Sequence, residues 1–292
     1  MTVSFIHSGS PLMASYRYRA QMPSKELGLE MNDISASVLV FAKPMPYELE
    51  IAKREQARGA KIIVDFCDDH FDQAHYLEFA LLADAVTCPT DEMAKRVPGR
   101  FPEVISDPYE FPEVAPHCNG GNLLWYGHGS NIKSLERVMR QLDDWPLFIV
   151  SNVPMSYPWA HEEMPEHFKN ADIVVMPATE AYKSPNRTLE AIRQGCFVVA
   201  EPHPSISDIP GIWIGNLKEG IEWATQNLSE ANQRTKLAQD YILRKYSPQT
   251  LAFAWKNLFE RAKSPSTSVA ASVYGPDGST WTKMEQTFMQ TC

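Results

Sequence analysis

Short apolar runs alternate with stretches of helical periodicity along the first third of the chain. The runs are rich in β-branched residues and predict strands, whereas the stretches between them predict helices. The predicted strands are Val3–His7, Ser37–Phe41, Lys61–Asp65, Ala85–Cys88 and Val104–Ile105. The predicted helices are Tyr16–Leu27, Tyr47–Arg58, Gln73–Leu82 and Asp91–Val97, with a kink or an early stop expected at Pro23. This repeated order predicts a parallel sheet with helices on both faces.

A segment dense in proline and glycine, residues 98–122, interrupts this order and predicts an irregular linker. The alternation then begins again. The second set of predicted strands is Leu123–Tyr126, Leu147–Val150, Ile173–Met176, Phe197–Ala200 and Ile212–Ile214. The second set of predicted helices is Ile132–Leu142, Glu162–Asn170, Arg187–Gln194 and Leu217–Leu228. The chain therefore predicts an α/β protein with two similar α/β domains of roughly equal size, joined by this linker.

Two further helices and a tail complete the predicted order. Ser229 is the expected cap of a helix that ends near Lys245, and Ser247 with Pro248 begins the last helix. The domain boundaries that follow are 1–115 for the N-terminal domain, 120–246 for the C-terminal domain, 247–262 for the last helix and 263–292 for the tail. The composition of the tail predicts loose order, and docking of its aromatic side chains on the body or on a partner stays open.

The composition is typical of a folded protein and disfavours membrane-spanning, secreted and nucleic-acid-binding proteins. The 292 residues carry a formal net charge of −9 and 44 % of them are hydrophobic, which is typical of a folded protein with a real core. An acidic chain is a poor generic binder of nucleic acids and anionic membranes. No run approaches the roughly 18 apolar residues of a membrane span, and no secretory signal is recognised at the N-terminus. The five widely spaced cysteines indicate reduced thiols, so a cytoplasmic location is expected.

The first candidate site is the loop after the first predicted strand of the second domain. It contains Gly127, His128 and Gly129, and it leads into a helix that carries Lys133. Glycines let a backbone approach a ligand closely, and the free amides at a helix N-terminus attract phosphate. The pattern fits a phosphate-binding loop, and it also fits an ordinary tight turn between a strand and a helix.

A second candidate site follows the predicted strand Ile173–Met176. A helix begins there, and four residues around its N-terminus are candidate ligands: Lys183, Ser184, Asn186 and Arg187. Free backbone amides, a helix dipole and two cations at one point suit a diphosphate. Glu190 lies about one and a half turns into this helix. It is either a group that accepts hydrogen bonds from ribose hydroxyls or a solvated surface residue.

These segments resemble the donor domain of glycosyltransferases with the GT-B fold, especially the large retaining group. In that group a Gly-Arg-x4-Lys element binds the donor diphosphate, and Gly127, His128 and Lys133 have this spacing with His in place of Arg. The group also has an acidic-x7-Glu signature whose last Glu binds the donor ribose. Glu190 matches that position, whereas Tyr182 stands at the acidic one. The resemblance covers residues 120–225 and implies donor binding there, at Gly129 as well.

The first half resembles the same fold more loosely, and the resemblance implies two Rossmann-like domains that face each other across a cleft. Gly9 and Ser10 follow its first strand, and Arg17 lies in a segment where relatives carry similar arginines. The resemblance implies that these residues also contact the donor, and that residues 248–259 cross back to the first domain. It implies no cofactor beyond the nucleotide sugar, which is a substrate.

Polar side chains stand at the end of the predicted strand Lys61–Asp65, where active sites of open α/β sheets gather. Asp68, Asp69 and His70 are therefore the predicted catalytic groups, as a general base or as stabilisers of an oxocarbenium-like transition state. The competing interpretation is a turn that caps the next helix. A divalent metal on these carboxylates ranks lower, because enzymes of the GT-B fold generally need none, and no metal site is predicted.

The expected function is transfer of a hexose or pentose from a nucleotide-diphosphate sugar, with UDP as the expected nucleotide. A glycan or a lipid-linked saccharide is the default acceptor, and a hydroxymethylated DNA base is a further one, because some phage enzymes of this fold glycosylate DNA. Two alternatives stay open. One is a UDP-sugar 2-epimerase of the same fold, and the other is a non-catalytic nucleotide-binding module.

Overall fold

The computed structural model describes residues 2–154 and 156–263. They form two parallel sheets with flanking helices, so the prediction of two α/β domains is confirmed. Every predicted strand is found to within one residue of its expected ends, because the apolar runs are the buried centres of the sheets. Residues 264–292, which make up nearly all of the predicted tail, lie outside the described residues.

The first sheet has the strand order β1-β2-β3-β4-β5. Its strands are β1 (Val3–Ile6), β2 (Val38–Ala42), β3 (Lys61–Asp65), β4 (Ala85–Cys88) and β5 (Glu103–Val104). On the far side of β1, Met31 forms a parallel bridge with Phe5. The chain therefore leaves β1 towards one edge and returns to β2 on the other side. This reversal creates a topological switch point between β1 and β2, where ligands of open sheets bind.

Helices cover both faces of the first sheet. One face carries α1 (Ala14–Tyr16), a π turn (Arg17–Gln21) and α2 (Met22–Leu27). The other carries α3 (Glu48–Ala57), α4 (Ala74–Leu82) and α5 (Asp91–Ala94). The expected early stop at Pro23 is wrong, because the helical segment continues until Gly28 ends it at φ 64°. The π turn lies directly before α2, so the helix departs from regular α geometry next to Pro23.

The second sheet has the order β11-β10-β9-β6-β7-β8. Its strands are β6 (Leu123–Tyr126), β7 (Leu147–Ser151), β8 (Tyr157–Pro158), β9 (Ile173–Met176), β10 (Phe197–Ala200) and β11 (Trp213–Ile214). The chain reverses direction after β8, which creates a second switch point between β6 and β9. Both candidate phosphate sites lie in the loops after these two strands.

The helices of the second domain follow the predicted order. They are α6 (Ile132–Val138), α7 (Met164–Lys169), α8 (Asn186–Arg193), α9 (Leu217–Gln226) and α10 (Leu228–Tyr246). The expected cap at Ser229 is wrong, because α9 ends at Gln226 and α10 begins directly after Asn227, which leaves Ser229 inside the first turn.

The last helix, α11 (Pro248–Lys263), packs on the sheet of the first domain. Ser247 Oγ accepts a hydrogen bond of 3.1 Å from the Thr250 N–H, which confirms the predicted cap. Trp255 is buried against Phe5, with ring centroids 5.1 Å apart at 81°. The first domain is thus completed by the C-terminal end of the described chain.

Four cysteines in the described residues are free thiols, as expected: Cys67, Cys88, Cys118 and Cys196. No helix within residues 2–154 and 156–263 is both long and apolar enough to cross a membrane.

Candidate functional site

The carboxyl ends of the two sheets meet, and the loop between β9 and α8 joins them. Tyr182 of this loop packs against the apolar cluster of the first domain, and its carbonyl accepts a hydrogen bond of 2.9 Å from Thr90 Oγ1. The guanidinium of Arg96 lies 4.7 Å from the centre of the Tyr182 ring. Tyr182 therefore holds the domains together, which gives a physical reason for an aromatic side chain at this position.

Arg187 lies in the first turn of α8, beside the loop that follows β6. Its Nη1 donates a hydrogen bond of 3.0 Å to the Tyr126 carbonyl, and the Tyr126 hydroxyl donates one to the Arg187 carbonyl. A Cβ atom on Gly127 would lie 2.9 Å from Nη1, so glycine leaves room for the guanidinium. Burial lowers the pKa of Arg187, and within the described residues no carboxylate lies at ion-pair distance from it.

The start of α8 is fixed by the interdomain linker. Ser184 Oγ donates a hydrogen bond to the Asp107 carboxylate and accepts one of 3.3 Å from the Asn186 N–H. A small cavity opens beside this helix end. Its polar lining includes Thr179, Ser184, Arg187, Thr188, His203 and Ser205. The helix N-terminus is therefore a polar corner of the cleft with hydroxyl groups on several sides.

The loop after β6 is closed by its own hydrogen bonds. His128 Nδ1 accepts a hydrogen bond of 3.2 Å from the Ser130 N–H, and the Gly129 N–H donates one of 2.6 Å to Asn152 Oδ1. Lys133 is exposed on α6 and has no hydrogen-bond partner among the described residues. Of the three residues predicted here, Lys133 is thus the one with a free charge.

Glu190 is buried, with 3 % of its surface exposed, so the interpretation as a solvated residue is wrong. Its carboxylate accepts hydrogen bonds of 2.6 Å from the Glu110 N–H and 3.2 Å from the Phe111 N–H. The Tyr18 hydroxyl donates a third, also of 3.2 Å. Glu190 therefore ties α8 to the linker and to the first domain. Ribose binding by this residue stays a prediction, and it requires a ligand hydroxyl to share or replace these donors.

The burial of Glu190 predicts a pH-dependent stability. Burial, opposed by the two backbone donors, raises its pKa from 4.5 to about 8. Between these values the folded chain keeps a proton that the unfolded chain has lost, so this group's stabilisation is full below the lower value and is lost as pH rises to the upper one. The melting temperature of the wild type minus that of Glu190→Gln should therefore fall between about pH 5 and pH 8. A constant difference across this range would contradict the assignment.

The glycine loop of the first domain packs on a histidine. The Gly9 N–H donates a hydrogen bond of 2.9 Å to His7 Nδ1, and a Cβ atom on Gly9 would lie 2.6 Å from the His7 ring. Burial, together with Lys43, lowers the pKa of His7 to about 4, so the ring is neutral near pH 7. Ser10 is exposed at the tip of this loop. Donor binding by Gly9 would have to use atoms other than its N–H.

Arg17 stands between the domains. Its Nε donates a hydrogen bond of 2.7 Å to Glu110 in the linker, and Nη1 donates one of 2.6 Å to the Leu12 carbonyl. Its guanidinium also lies 5.8 Å from the centre of the Trp159 ring in the second domain. The charge of Arg17 is therefore engaged within the protein, and its predicted contact with the donor stays a prediction.

The predicted catalytic trio occupies the loop between β3 and α4. Asp68 accepts hydrogen bonds of 2.7 Å from Lys43 and 2.8 Å from Lys183 of the second domain. Burial alone would raise the pKa of Asp68, but the two ammonium groups outweigh burial and hold the pKa well below its usual range. Asp69 forms an ion pair with Arg96. A carboxylate with so low a pKa is a weak base. Asp68 therefore fits a role in electrostatic stabilisation better than a role as a general base.

His70 differs from its two neighbours. Its ring packs edge-on against Tyr76, with centroids 5.3 Å apart, and it has no ion-pair partner among the described residues. The carboxylate of Asp65, at the end of β3, accepts two hydrogen bonds from Arg19 and one from Thr87. His70 is therefore the member of this segment whose ring nitrogens have no hydrogen-bond or ion-pair partner among the described residues.

Lys43 is a residue at this cleft that has no counterpart in the sequence prediction. Lys43 follows β2 directly, where a lone lysine resembles a solvated strand end. The one available signal was its place after the buried strand Val38–Ala42, at the carboxyl edge of the sheet.

Within the described residues no group of three or more His, Cys, Asp or Glu side chains is arranged to hold a metal ion.

Comparison with solved structures identifies the architecture. Anabaena HepE in complex with UDP-glucose superposes with a TM-score of 0.69 and 11 % identity, over 89 % of this chain and 100 % of HepE. The chain has the GT-B fold. A glycosyltransferase from Rickettsia africae shares this GT-B fold with a TM-score of 0.55 and 9 % identity, over 90 % of this chain and 99 % of its own.

A third solved structure with the same fold is named for a different activity. A Listeria monocytogenes protein assigned as a UDP-N-acetylglucosamine 2-epimerase has a TM-score of 0.52 and 10 % identity, over 90 % of this chain and 98 % of its own. No protein-family model and no curated protein matches the sequence. At such identities the likeness establishes the fold, and the function rests on the site.

Proposed function

We propose that this protein is a glycosyltransferase that transfers a sugar from a UDP-sugar to an acceptor hydroxyl. The observation that carries the proposal is the Arg187 guanidinium, which is partly buried at the N-terminus of α8 without a carboxylate partner in the described chain. A desolvated cation is costly unless an anion compensates it, and a diphosphate at the helix N-terminus supplies one. HepE, which shares the fold, binds UDP-glucose, and this supports UDP as the nucleotide.

The donor would lie at the switch point between β6 and β9. Arg187 and Lys183 would neutralise the diphosphate, with Lys133 and the His128 loop on its other side. The hydroxyls around α8 would contact the nucleoside, and Glu190 the ribose. The acceptor would enter from the first domain, and a saccharide or a lipid-linked saccharide is the class we propose for it.

The proposed reaction is a substitution at the anomeric carbon of the donor sugar. The acceptor oxygen forms a bond to the anomeric carbon, and the bond from this carbon to the β-phosphate oxygen breaks. Its electron pair leaves with UDP, whose added charge the lysine and arginine groups stabilise. The hydroxyl proton passes to His70, because Asp68 and Asp69 are each held by cations.

Replacing Arg187 tests the donor site. Arg187→Ala is expected to weaken binding of UDP by about 1.5–3 kcal/mol, the worth of a charged hydrogen bond, and to leave binding of uridine nearly unchanged. Titration calorimetry measures both affinities. Arg234→Ala is the matched control, because Arg234 carries the same charge on α10 and pairs there with Glu230. Equal losses for UDP and uridine would place Arg187 away from the phosphates.

A thermal-shift screen tests the substrate class. A ligand that binds the folded chain alone raises its melting temperature. We expect the largest shift with UDP and UDP-sugars, and no shift with any UDP-, GDP- or dTDP-sugar would contradict the proposal.

The likeness to the Listeria protein supports a second candidate, a UDP-sugar 2-epimerase. An epimerase converts a UDP-N-acetylhexosamine without an acceptor. Proton NMR of the UDP-sugar after incubation with the protein alone separates the two activities, and formation of an epimer would favour the second.

A further inference from the structure

Lys43 has an unusual backbone conformation. Its φ is 53°, and besides Asn32 it is the one non-glycine residue in the described chain with a positive φ. This left-handed conformation is strained for a residue that carries a Cβ atom. It is held by a hydrogen bond of 3.0 Å from the Lys43 N–H to the Asp65 carbonyl. Strain of this kind at the carboxyl edge of a sheet is typical of functional positions.

The strained turn brings Lys43 to the middle of the cleft. Its Nζ lies 2.7 Å from Asp68 Oδ2, and Nζ of Lys183, from the opposite domain, lies 2.8 Å from Asp68 Oδ1. Two ammonium groups thus share one carboxylate, which leaves a local excess of one positive charge. The three side chains are between 22 % and 34 % exposed, so the cluster is open to the cleft.

We propose that Lys43 and Lys183 form a phosphate site that spans the two domains, and that Asp68 is the internal anion which a ligand phosphate replaces. The proposal rests on the proposed function, because Lys183 belongs to the diphosphate site there. The new element is Lys43, a side chain of the first domain that would bind the phosphate. It also gives Asp68 the role of a competitor for the lysines.

The energetics allow the exchange. All three side chains are partly exposed to the cleft, so a ligand oxygen can reach both ammonium groups and compete with Asp68 for them. A diphosphate carries more charge than a carboxylate and offers acceptor oxygens to both ammonium groups at once. Asp68 would then turn towards water. Its negative charge weakens phosphate binding in the wild type, because it must first release the lysines.

The test is calorimetry of the full chain with inorganic pyrophosphate and with UDP. Lys43→Ala should weaken both affinities about 10-fold, the usual loss of a charged hydrogen bond. Asp68→Asn should strengthen both about 5-fold, since the competing charge is gone. Matched controls are Lys53→Ala and Glu78→Gln, which change the same charges in an exposed ion pair of the first domain and should change nothing.

The outcomes separate the two proposals. If the wild type binds UDP and Lys43→Ala binds it equally well, the spanning site is wrong and the donor site of the second domain stands. If the wild type binds pyrophosphate through Lys43 but has no preference for UDP, the spanning site stands and the proposed donor does not. A weaker or unchanged affinity in Asp68→Asn contradicts the competitor role. Pyrophosphate binding by neither the wild type nor Asp68→Asn overturns the site.

Discussion

Replacing His70 with alanine is expected to lower kcat by about 10²–10⁴-fold, the usual loss on removing a general base. His70 lies on the loop after β3, two residues after Asp68, whose carboxylate accepts a hydrogen bond from Lys183 across the cleft. Affinity for UDP should stay the same, because the proposed nucleotide contacts lie elsewhere. The measurement is turnover of a UDP-sugar with a panel of saccharide acceptors, together with UDP affinity by calorimetry.

His75 offers a matched control for this substitution. Its ring packs against the same Tyr76 ring, with centroids 5.0 Å apart and an angle of 90°, but it lies within α4. His75→Ala should therefore lose the same aromatic contact and keep its turnover. Full turnover in a folded His70→Ala variant would show that the proton goes to another group, such as the departing diphosphate.

The sequence predicted the sheets well because burial there is a local property. Two such strands are Ile173–Met176 and Phe197–Ala200. Each is a continuous apolar run whose residues are buried on both faces of the sheet. The exception is Tyr157–Pro158, a two-residue edge strand that contains proline and exposes both side chains. Nothing in its local pattern distinguishes such a strand from a loop.

The candidate site was predicted less completely, because its geometry depends on contacts between distant parts of the chain. Glu190 looks like a surface residue in its helix, yet its three hydrogen-bond donors lie in the linker and in the first domain, 79 to 172 residues away in the sequence. The pairing of Asp68 with Lys183 has the same character. Helical periodicity carries no information about such partners.

Tyr182 has a structural role that the sequence comparison did not indicate. The sequence places a tyrosine where the retaining group has an acid. In the structure this ring packs into the first domain beside Arg96, and the next residue, Lys183, reaches Asp68. The loop therefore joins the two domains through an aromatic contact and an ion pair.

Replacing Arg19 with methionine is expected to destabilise the protein by about 3–5 kcal/mol, the cost of leaving buried carboxylates without their cation. Arg19 is 1 % exposed and donates two hydrogen bonds to Asp65, of 2.9 and 2.5 Å. It also donates to Asp107 at 3.2 Å and to the carbonyl groups of Ile105 and Ser106. Methionine keeps most of the volume and removes all of these donors.

Arg19→Met should also weaken binding at the proposed donor site. Asp107 holds Ser184 at the start of α8, so losing Arg19 frees the segment that positions Arg187. We therefore expect a lower melting temperature and, at temperatures where the variant is folded, weaker UDP binding. Arg58→Met is the control, because Arg58 is 68 % exposed and water screens its ion pair with Glu55. If Arg19→Met melts no lower than Arg58→Met, the buried network does not stabilise the fold, since its carboxylates would then be compensated by other groups.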